Sequence, residues 1–265
     1  MITQSIIVLG ALGLGFGIFL AYASKKFHVE HNPKIDEVLN ILPGVNCGAC
    51  GYAGCSAYAE VVVTSKDVPC NLCVPGQKDV ADKVATIVGK DVSSKKVQLV
   101  AQLKCAGGKA EAGLKFEYNG IENCKAASLL GGGPKACSYG CIGYGDCVKV
   151  CKFDALKMGS NGLPVVIKEK CVACGACVKE CPKILFKFVP KEKKIHVLCS
   201  SKDNAKNVIK SCKVGCIACG ACERACPVDA IHVKDNLAEI EYAKCIMCGK
   251  CVSACPRKII VDERK

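Results

Sequence analysis

The sequence predicts an α+β chain in which small cysteine-stapled units follow one N-terminal apolar helix. Three observations carry that expectation. The 265 residues include 25 cysteines and no tryptophan, too many thiols and too few large aromatics for an ordinary single core. Residues 1–24 contain no charged side chain. The C-terminal part repeats one spacing twice, CIACGACERACP from Cys216 and CIMCGKCVSACP from Cys245, each reading C-x2-C-x2-C-x3-C-P.

The N-terminal stretch comes first. Ile6 to Ala23 is almost entirely apolar, and about 20 helical residues at ~1.5 Å each match a bilayer's hydrocarbon core. Residues 1–25 therefore read as a transmembrane helix. Lys25 and Lys26 place the following body in the cytoplasm by the positive-inside rule, so the expected location is the cell (inner) membrane, single-pass. The competing reading, a cleavable signal peptide, requires a basic start that is missing here. Gly10, Gly13, Gly15 and Gly17 suit close packing with another membrane helix. Inside an apolar helix their G-x-G-x-G is no nucleotide fingerprint.

Residues 26–90 read as a small helical 4Fe-4S domain. Ile35 to Leu42 forms a short helix closed by Pro43-Gly44, and Ala57 to Val63 forms a second. Pro75-Gly76 opens a third. CGACGYAGC supplies Cys47, Cys50 and Cys55, and Cys70 and Cys73 follow. Four thiolates suffice for one [4Fe–4S] cluster, and the small residues between them let the backbone approach its sulfides. Spacing alone leaves open whether Cys70 or Cys73 is the fourth ligand. Structural zinc competes, because C-x2-C also suits a tetrahedral ion.

Residues 91–135 form a connecting segment with strands expected at Gln98 to Leu103 and Leu114 to Tyr118. Cys105 and Cys124 stand there without a C-x2-C partner. Its GGGPK lacks the spacing of a P-loop. Residues 136–198 read as ferredoxin-like unit 1. Its second half is regular, with Cys171, Cys174, Cys177 and Cys181; its first half is widened, Cys137-x3-Cys141-x5-Cys147-x3-Cys151. Leu163 to Ile167 reads as a strand and Phe186 to Val197 as a hairpin. A connecting segment, 199–212, carries Cys199 and Cys212, and 213–265 is ferredoxin-like unit 2.

In bacterial-type 2[4Fe-4S] ferredoxins the fourth cysteine of each run ligates the other cluster. Cys216, Cys219, Cys222 and Cys255 then hold one cluster, and Cys226, Cys245, Cys248 and Cys251 another. In unit 1 the same crossing groups Cys137, Cys141, Cys147 and Cys181, and separately Cys151, Cys171, Cys174 and Cys177. Cys105, Cys124, Cys199 and Cys212 remain, one cluster's worth, giving six clusters, or five if these four are buried free thiols.

The formal charge of +13 counts cysteine as neutral. Six clusters at about −2 each leave roughly +1, so the basic balance is no nucleic-acid signal, and no binding motif for nucleic acid accompanies it. His28, His31, His196 and His232 have no partnered carboxylate spacing and read as surface or packing residues. No strand–G-x-G-x-x-G–helix unit is present, so no NAD site is expected on this chain. Lys183, Lys187, Lys191, Lys193 and Lys194 suggest either a basic docking face for acidic ferredoxin or a merely solvated surface.

CGACGYAGC followed by C-V-P-G, behind an apolar N-terminal helix and ahead of ferredoxin repeats, resembles the B subunit of the Rnf complex, in the long form of clostridial-type members. The resemblance covers essentially the whole chain. It implies a membrane-anchored electron-transfer subunit that takes electrons from reduced ferredoxin within an ion-translocating ferredoxin:NAD+ oxidoreductase, with NAD, flavins and the Na+ or H+ path on other subunits. It also implies Cys73, in C-V-P-G, as the fourth N-terminal ligand, with Cys70 spare. A polyferredoxin subunit of another membrane oxidoreductase or hydrogenase is the alternative, and a zinc-stapled adaptor a third reading from a different class.

Overall fold

The computed structural model describes residues 2–26, 32–91 and 97–264; His28 and His31 lie outside the described residues. Helix α1 spans Ile2–Lys26 and exposes its apolar side chains, Leu9 at 70% and Phe19 at 65%. Among the described residues, no helix is long and apolar enough to cross a membrane. That finding corrects the expected transmembrane anchor. The apolar stretch Ile6 to Ala23 rises about 27 Å at ~1.5 Å per residue. A hydrocarbon core needs roughly 30 Å, and Ser24, Lys25 and Lys26 follow at once.

The first compact unit packs helices α2 (Pro33–Ile41), α3 (Cys55–Thr64) and α4 (Gln77–Val88). Each starts or stops on a local signal. Asn32 caps α2, its Oδ1 accepting from Lys34 N at 3.1 Å with Pro33 at the first turn. Gly89 ends α4 at φ 72°, the left-handed geometry that glycine adopts without penalty. Val38, Val62 and Val84 face inward and are fully buried, each burial worth about 1.5–3 kcal/mol. Lys90 Nζ closes the far end of α3, donating to Val62 O at 2.8 Å, Ser65 O at 2.6 Å and Val68 O at 3.2 Å.

Two pseudo-repeats follow. The first contains β1 (Leu99–Leu103), α5 (Cys124–Leu129), α6 (Asp146–Lys149), β2 (Leu156–Met158), β3 (Pro164–Val166), α7 (Ala176–Glu180) and β4 (Phe186–Pro190). The second contains β5 (Ile195–Val197), α8 (Ala205–Ser211), α9 (Ala221–Arg224), β6 (Ile231–Lys234), β7 (Leu237–Ile240), α10 (Lys250–Ala254) and β8 (Ile260–Asp262). In both, an inner hairpin is flanked by a sheet made of the repeat's first and last strands. β2 pairs with β3 and β6 with β7, while β1 pairs with β4 and β5 with β8, all antiparallel. The β6–β7 turn is Asp235-Asn236 at φ 47° and 61°, the two left-handed residues that a tight two-residue hairpin requires.

Two strand expectations need correction. Phe186 to Val197 is not one hairpin, because β4 pairs with β1 and β5 with β8. Buried Phe186 serves the first core, whereas buried Ile195 and Val197 serve the second. Leu114 to Tyr118 forms no strand; only Leu114 bridges Lys135. The ladders are therefore all antiparallel pairs.

A buried polar group joins the repeats. His196, fully buried, places Nδ1 2.8 Å from the Tyr242 hydroxyl and Nε2 3.1 Å from Lys168 Nζ. Lys168, from the first repeat, also pairs with Glu263 at the end of the second. His232, by contrast, sits partly exposed beside Glu223 at 3.2 Å. His196 is thus a satisfied packing histidine and His232 a surface one.

Candidate metal centres

The cysteine loops share one local design. In Cys171-Val-Ala-Cys174-Gly, Cys216-Ile-Ala-Cys219-Gly and Cys245-Ile-Met-Cys248-Gly, the residue before the second cysteine and the glycine after it both have positive φ. These are Ala173 (52°) with Gly175 (86°), Ala218 (54°) with Gly220 (70°), and Met247 (56°) with Gly249 (81°). Each glycine opens a short helix, α7, α9 or α10. The chain thus curls around a point and then turns away, aiming three side chains inward.

None of the 25 cysteines is in a disulfide. Five cavities are each ringed by four of them, at closely similar volumes. Cys47, Cys50, Cys55 and Cys73 line one of about 330 Å³. Cys216, Cys219, Cys222 and Cys255 line a second of about 330 Å³, and Cys226, Cys245, Cys248 and Cys251 a third of about 330 Å³. Cys124, Cys141, Cys147 and Cys181 surround one of about 390 Å³. Cys105, Cys137, Cys199 and Cys212 surround one of about 380 Å³. A sixth group is drawn together around Cys177, whose thiol feels Cys171, Cys174 and Cys151, with Cys147 of the neighbouring set.

Two sets differ from the expected grouping. Cys137 does not join Cys141, Cys147 and Cys181, and Cys124 does not join Cys105, Cys199 and Cys212; the two exchange places. The reason lies in one substituted position. Aligned on its helix-opening glycine, the widened run reads Cys141-x2-Tyr144-Gly145-x-Cys147-x3-Cys151. It is a regular repeat with tyrosine where the second cysteine belongs. Gly145 has φ 76° and opens α6, as Gly175 opens α7. Cys124 arrives from outside the repeat to fill the gap. Asn123 caps α5, the Cys124 N–H donates to Asp146 Oδ2 at 2.6 Å, and the backbone N–H groups of Tyr144 and Asp146 bond the Cys124 sulfur. The signal was present in Tyr144-Gly145, hidden by counting cysteines instead of glycines.

Cys70 is buried in the N-terminal unit without lining its cavity. It belongs to the helical core with Tyr58, whose hydroxyl donates to Pro69 O at 2.9 Å.

Burial governs the thiols. It pushes Cys141 and Cys147 up to about 12, with Cys105 adding to the former and Cys124 to the latter. It pushes Cys137 up to about 11, opposed by a backbone N–H and reinforced by Cys105, Cys199 and Cys212. Four crowded thiols in apolar walls resist ionisation until a polynuclear cation balances them.

A [4Fe–4S] cluster fits these residues. Backbone N–H groups already aim at cysteine sulfurs: Ala230 N to Cys226 at 3.2 Å, Ala101 N to Cys171 at 3.3 Å, Cys216 N to Cys199 at 3.4 Å, and Cys141 N to Cys105 and Leu185 N to Cys181 at 3.5 Å. Such bonds stabilise thiolate and sulfide charge. Among the described residues, no three His, Cys, Asp or Glu side chains are placed to hold a single metal ion; the thiols ring volumes instead.

Comparison with known proteins agrees. A model described as "Putative Fe-S cluster" matches residues 42–75, and models of a 4Fe-4S dicluster domain match 140–185 and 215–260. The B subunit of a proton-translocating ferredoxin:NAD(+) oxidoreductase complex from Clostridium ljungdahlii is 48% identical over 236 residues, 89% of this chain and 83% of its own. The chain belongs to the family of Rnf complex B subunits. The B subunit of an ion-translocating oxidoreductase complex from Methanosarcina acetivorans is 44% identical, covering 92% of both chains. Its counterpart in an Na(+)-translocating ferredoxin:NAD(+) oxidoreductase complex from Acetobacterium woodii is 44% identical over 89% of this chain and 71% of its own. The chain is accordingly an iron–sulfur electron-transfer subunit of an Rnf-type oxidoreductase, carrying 4Fe-4S clusters and working with other Rnf subunits. Ion translocation makes that assembly a membrane-associated one.

Proposed function

We propose that this subunit holds six [4Fe–4S] clusters in one row and takes its electrons from reduced ferredoxin. The observation that carries the reading is that the six cysteine sets neighbour one another in sequence. Cys47 of the N-terminal set lies close enough to influence Cys174, and Cys147 to influence Cys177. Cys141 donates its N–H to the Cys105 sulfur, and Cys216 to that of Cys199. Cys222 and Cys226, then Cys251 and Cys255, cross between the last two sets.

The ligand sets under this reading are those that the cavities define. They are Cys47, Cys50, Cys55 and Cys73; Cys151, Cys171, Cys174 and Cys177; Cys124, Cys141, Cys147 and Cys181; Cys105, Cys137, Cys199 and Cys212; Cys216, Cys219, Cys222 and Cys255; and Cys226, Cys245, Cys248 and Cys251. Bound there, clusters supply one-electron transfer; the chain supplies spacing, dryness and hydrogen bonds to sulfur.

Among the described residues, Cys219 and Cys248 are the only exposed cysteines, which favours ferredoxin docking on the second repeat. The expected lysine face is less supported. Lys183 donates to Ser138 O at 2.7 Å, Lys187 pairs with Glu239 at 3.2 Å, and Lys193 donates to Cys245 O at 2.6 Å. Three of the five lysines are thus anchored at separate places, and of those three only Lys193 touches a loop of the second repeat's sites.

Iron and acid-labile sulfide on anaerobically purified protein test the count. About 24 of each per chain is the expected result. About 20 would return the Cys105 set to free thiols, and zinc in place of iron would overturn the reading.

A further inference from the structure

The two buried lysines of the described residues, Lys104 and Lys135, are 9% and 7% exposed. Both stand beside the cavity ringed by Cys105, Cys137, Cys199 and Cys212. A buried ammonium in a small core is costly, so its neighbours matter. Lys135 Nζ donates to Gly107 O at 2.7 Å. Gly107 lines that cavity, and a Cβ on it would sit 3.2 Å from the Cys212 sulfur and 3.8 Å from that of Cys105. Lys104 directly precedes Cys105 in the chain, and Cys199 is among the groups that act on it.

Arg257 of the second repeat also adjoins that cavity. Its Nη2 donates to Cys212 O at 2.7 Å and its Nε to Gly215 O at 3.4 Å, and Gly215 lines the same cavity. Arg257 also borders the Cys216 cavity, and Lys135 also acts on Cys141. Among the described residues, only the cavity between those two neighbours is flanked by both cations. Glu111, on the adjoining turn, places its carboxylate beside Gly108 and does not line the cavity.

Reduction takes a four-thiolate [4Fe–4S] centre from about −2 to −3. A fixed cation in a low-dielectric wall stabilises the more negative state, so potential rises with each such charge. We propose that the cavity of Cys105, Cys137, Cys199 and Cys212 holds the highest-potential cluster of the row, set there by Lys135 and Arg257 as positioning residues. This rests on the six-cluster reading above. A high-potential centre in the middle of a row retains an electron between its neighbours, so the subunit rests one electron reduced.

The test is an anaerobic redox titration of the full-length chain followed by EPR, with iron analysis of every variant. The Cys105→Ser/Cys199→Ser variant should lose about four irons together with the highest-potential step. Lys135→Met and Arg257→Met should each keep full iron content and move that step to lower potential, with the double variant moving furthest. Arg257→Lys, which keeps the charge, should restore most of the midpoint. Four irons lost with the highest step still present would overturn the inference and leave the six-cluster reading standing, as would an unmoved step in the double lysine–arginine variant. No iron lost in the cysteine variant would instead overturn the cluster site itself.

Discussion

The two ferredoxin-like repeats share one architecture, an inner hairpin beside a sheet of first and last strands, yet they gather their thiols differently. In the second repeat, every cysteine of the two cavities lies inside the C-x2-C-x2-C-x3-C-P runs, and the cavities collect the sets that those runs imply. In the first, one run has lost its second cysteine to Tyr144, and Cys124 reaches in from α5 to replace it. That leaves Cys137 to complete a cavity with Cys105, which follows β1, and with Cys199 and Cys212 of the second repeat. A local repeat fixes local geometry; where a run lacks one thiol, a cysteine from distant sequence completes the ring around its cavity.

Cross-paired substitutions break this comparison most sharply. Cys124→Ser with Cys181→Ser falls in one set and should cost about four irons, as should Cys137→Ser with Cys212→Ser. Cys124→Ser with Cys212→Ser falls in two sets and should cost about eight. A loss of only four from the last pair, measured on anaerobic protein, would return Cys124 to the set of Cys105.

Asp146 gives a smaller effect on the same feature. Its buried carboxylate accepts the Cys124 N–H at 2.6 Å, and Asp146→Ala leaves that donor unpartnered at about 1–3 kcal/mol. The equivalent position of the second repeat, Ala221, has no such duty. Ala221→Ser should therefore shift the thermal midpoint far less than Asp146→Ala. Equal shifts would mean that Asp146 does not hold Cys124 in place.

The polar link between the repeats should respond to pH. Burial tends to raise Glu263, but the adjacent His196 ring and the Lys168 ammonium that pairs with it outweigh burial and hold the carboxylate below its ordinary value of 4.5. A depressed carboxylate contributes stability above its unfolded value and loses it as pH falls through the folded one. Glu263→Gln should cost about 1–2 kcal/mol near neutral pH and converge with the parent chain only as pH falls below 4.5 and through the carboxylate's lowered value. A constant difference from pH 7 to pH 3, in denaturant unfolding, would show that the carboxylate's charge does not matter.

Much of the fold was legible locally. Asn32-Pro33 begins α2, Gly89 ends α4, and Cys-Gly at 174–175, 219–220 and 248–249 marks where each thiol loop turns into a helix. The N-terminal helix was legible only as a helix: its apolarity suggested a bilayer span that the described residues do not provide. Strand pairing was misread for a different reason. Phe186 to Val197 is continuous in sequence and alternates in character, but its halves face separate cores, so β4 joined β1 and β5 joined β8.

The sequence by itself determined that this chain carries iron–sulfur clusters, where its regular thiol loops lie and which family it resembles, because loop curvature around a cube is set by a few adjacent residues. Tertiary structure alone decided how Cys105, Cys124, Cys137, Cys199 and Cys212 are shared, and that Lys135 and Arg257 stand beside one cavity. Those relations depend on how distant segments pack across the sheets, which no spacing along the chain encodes.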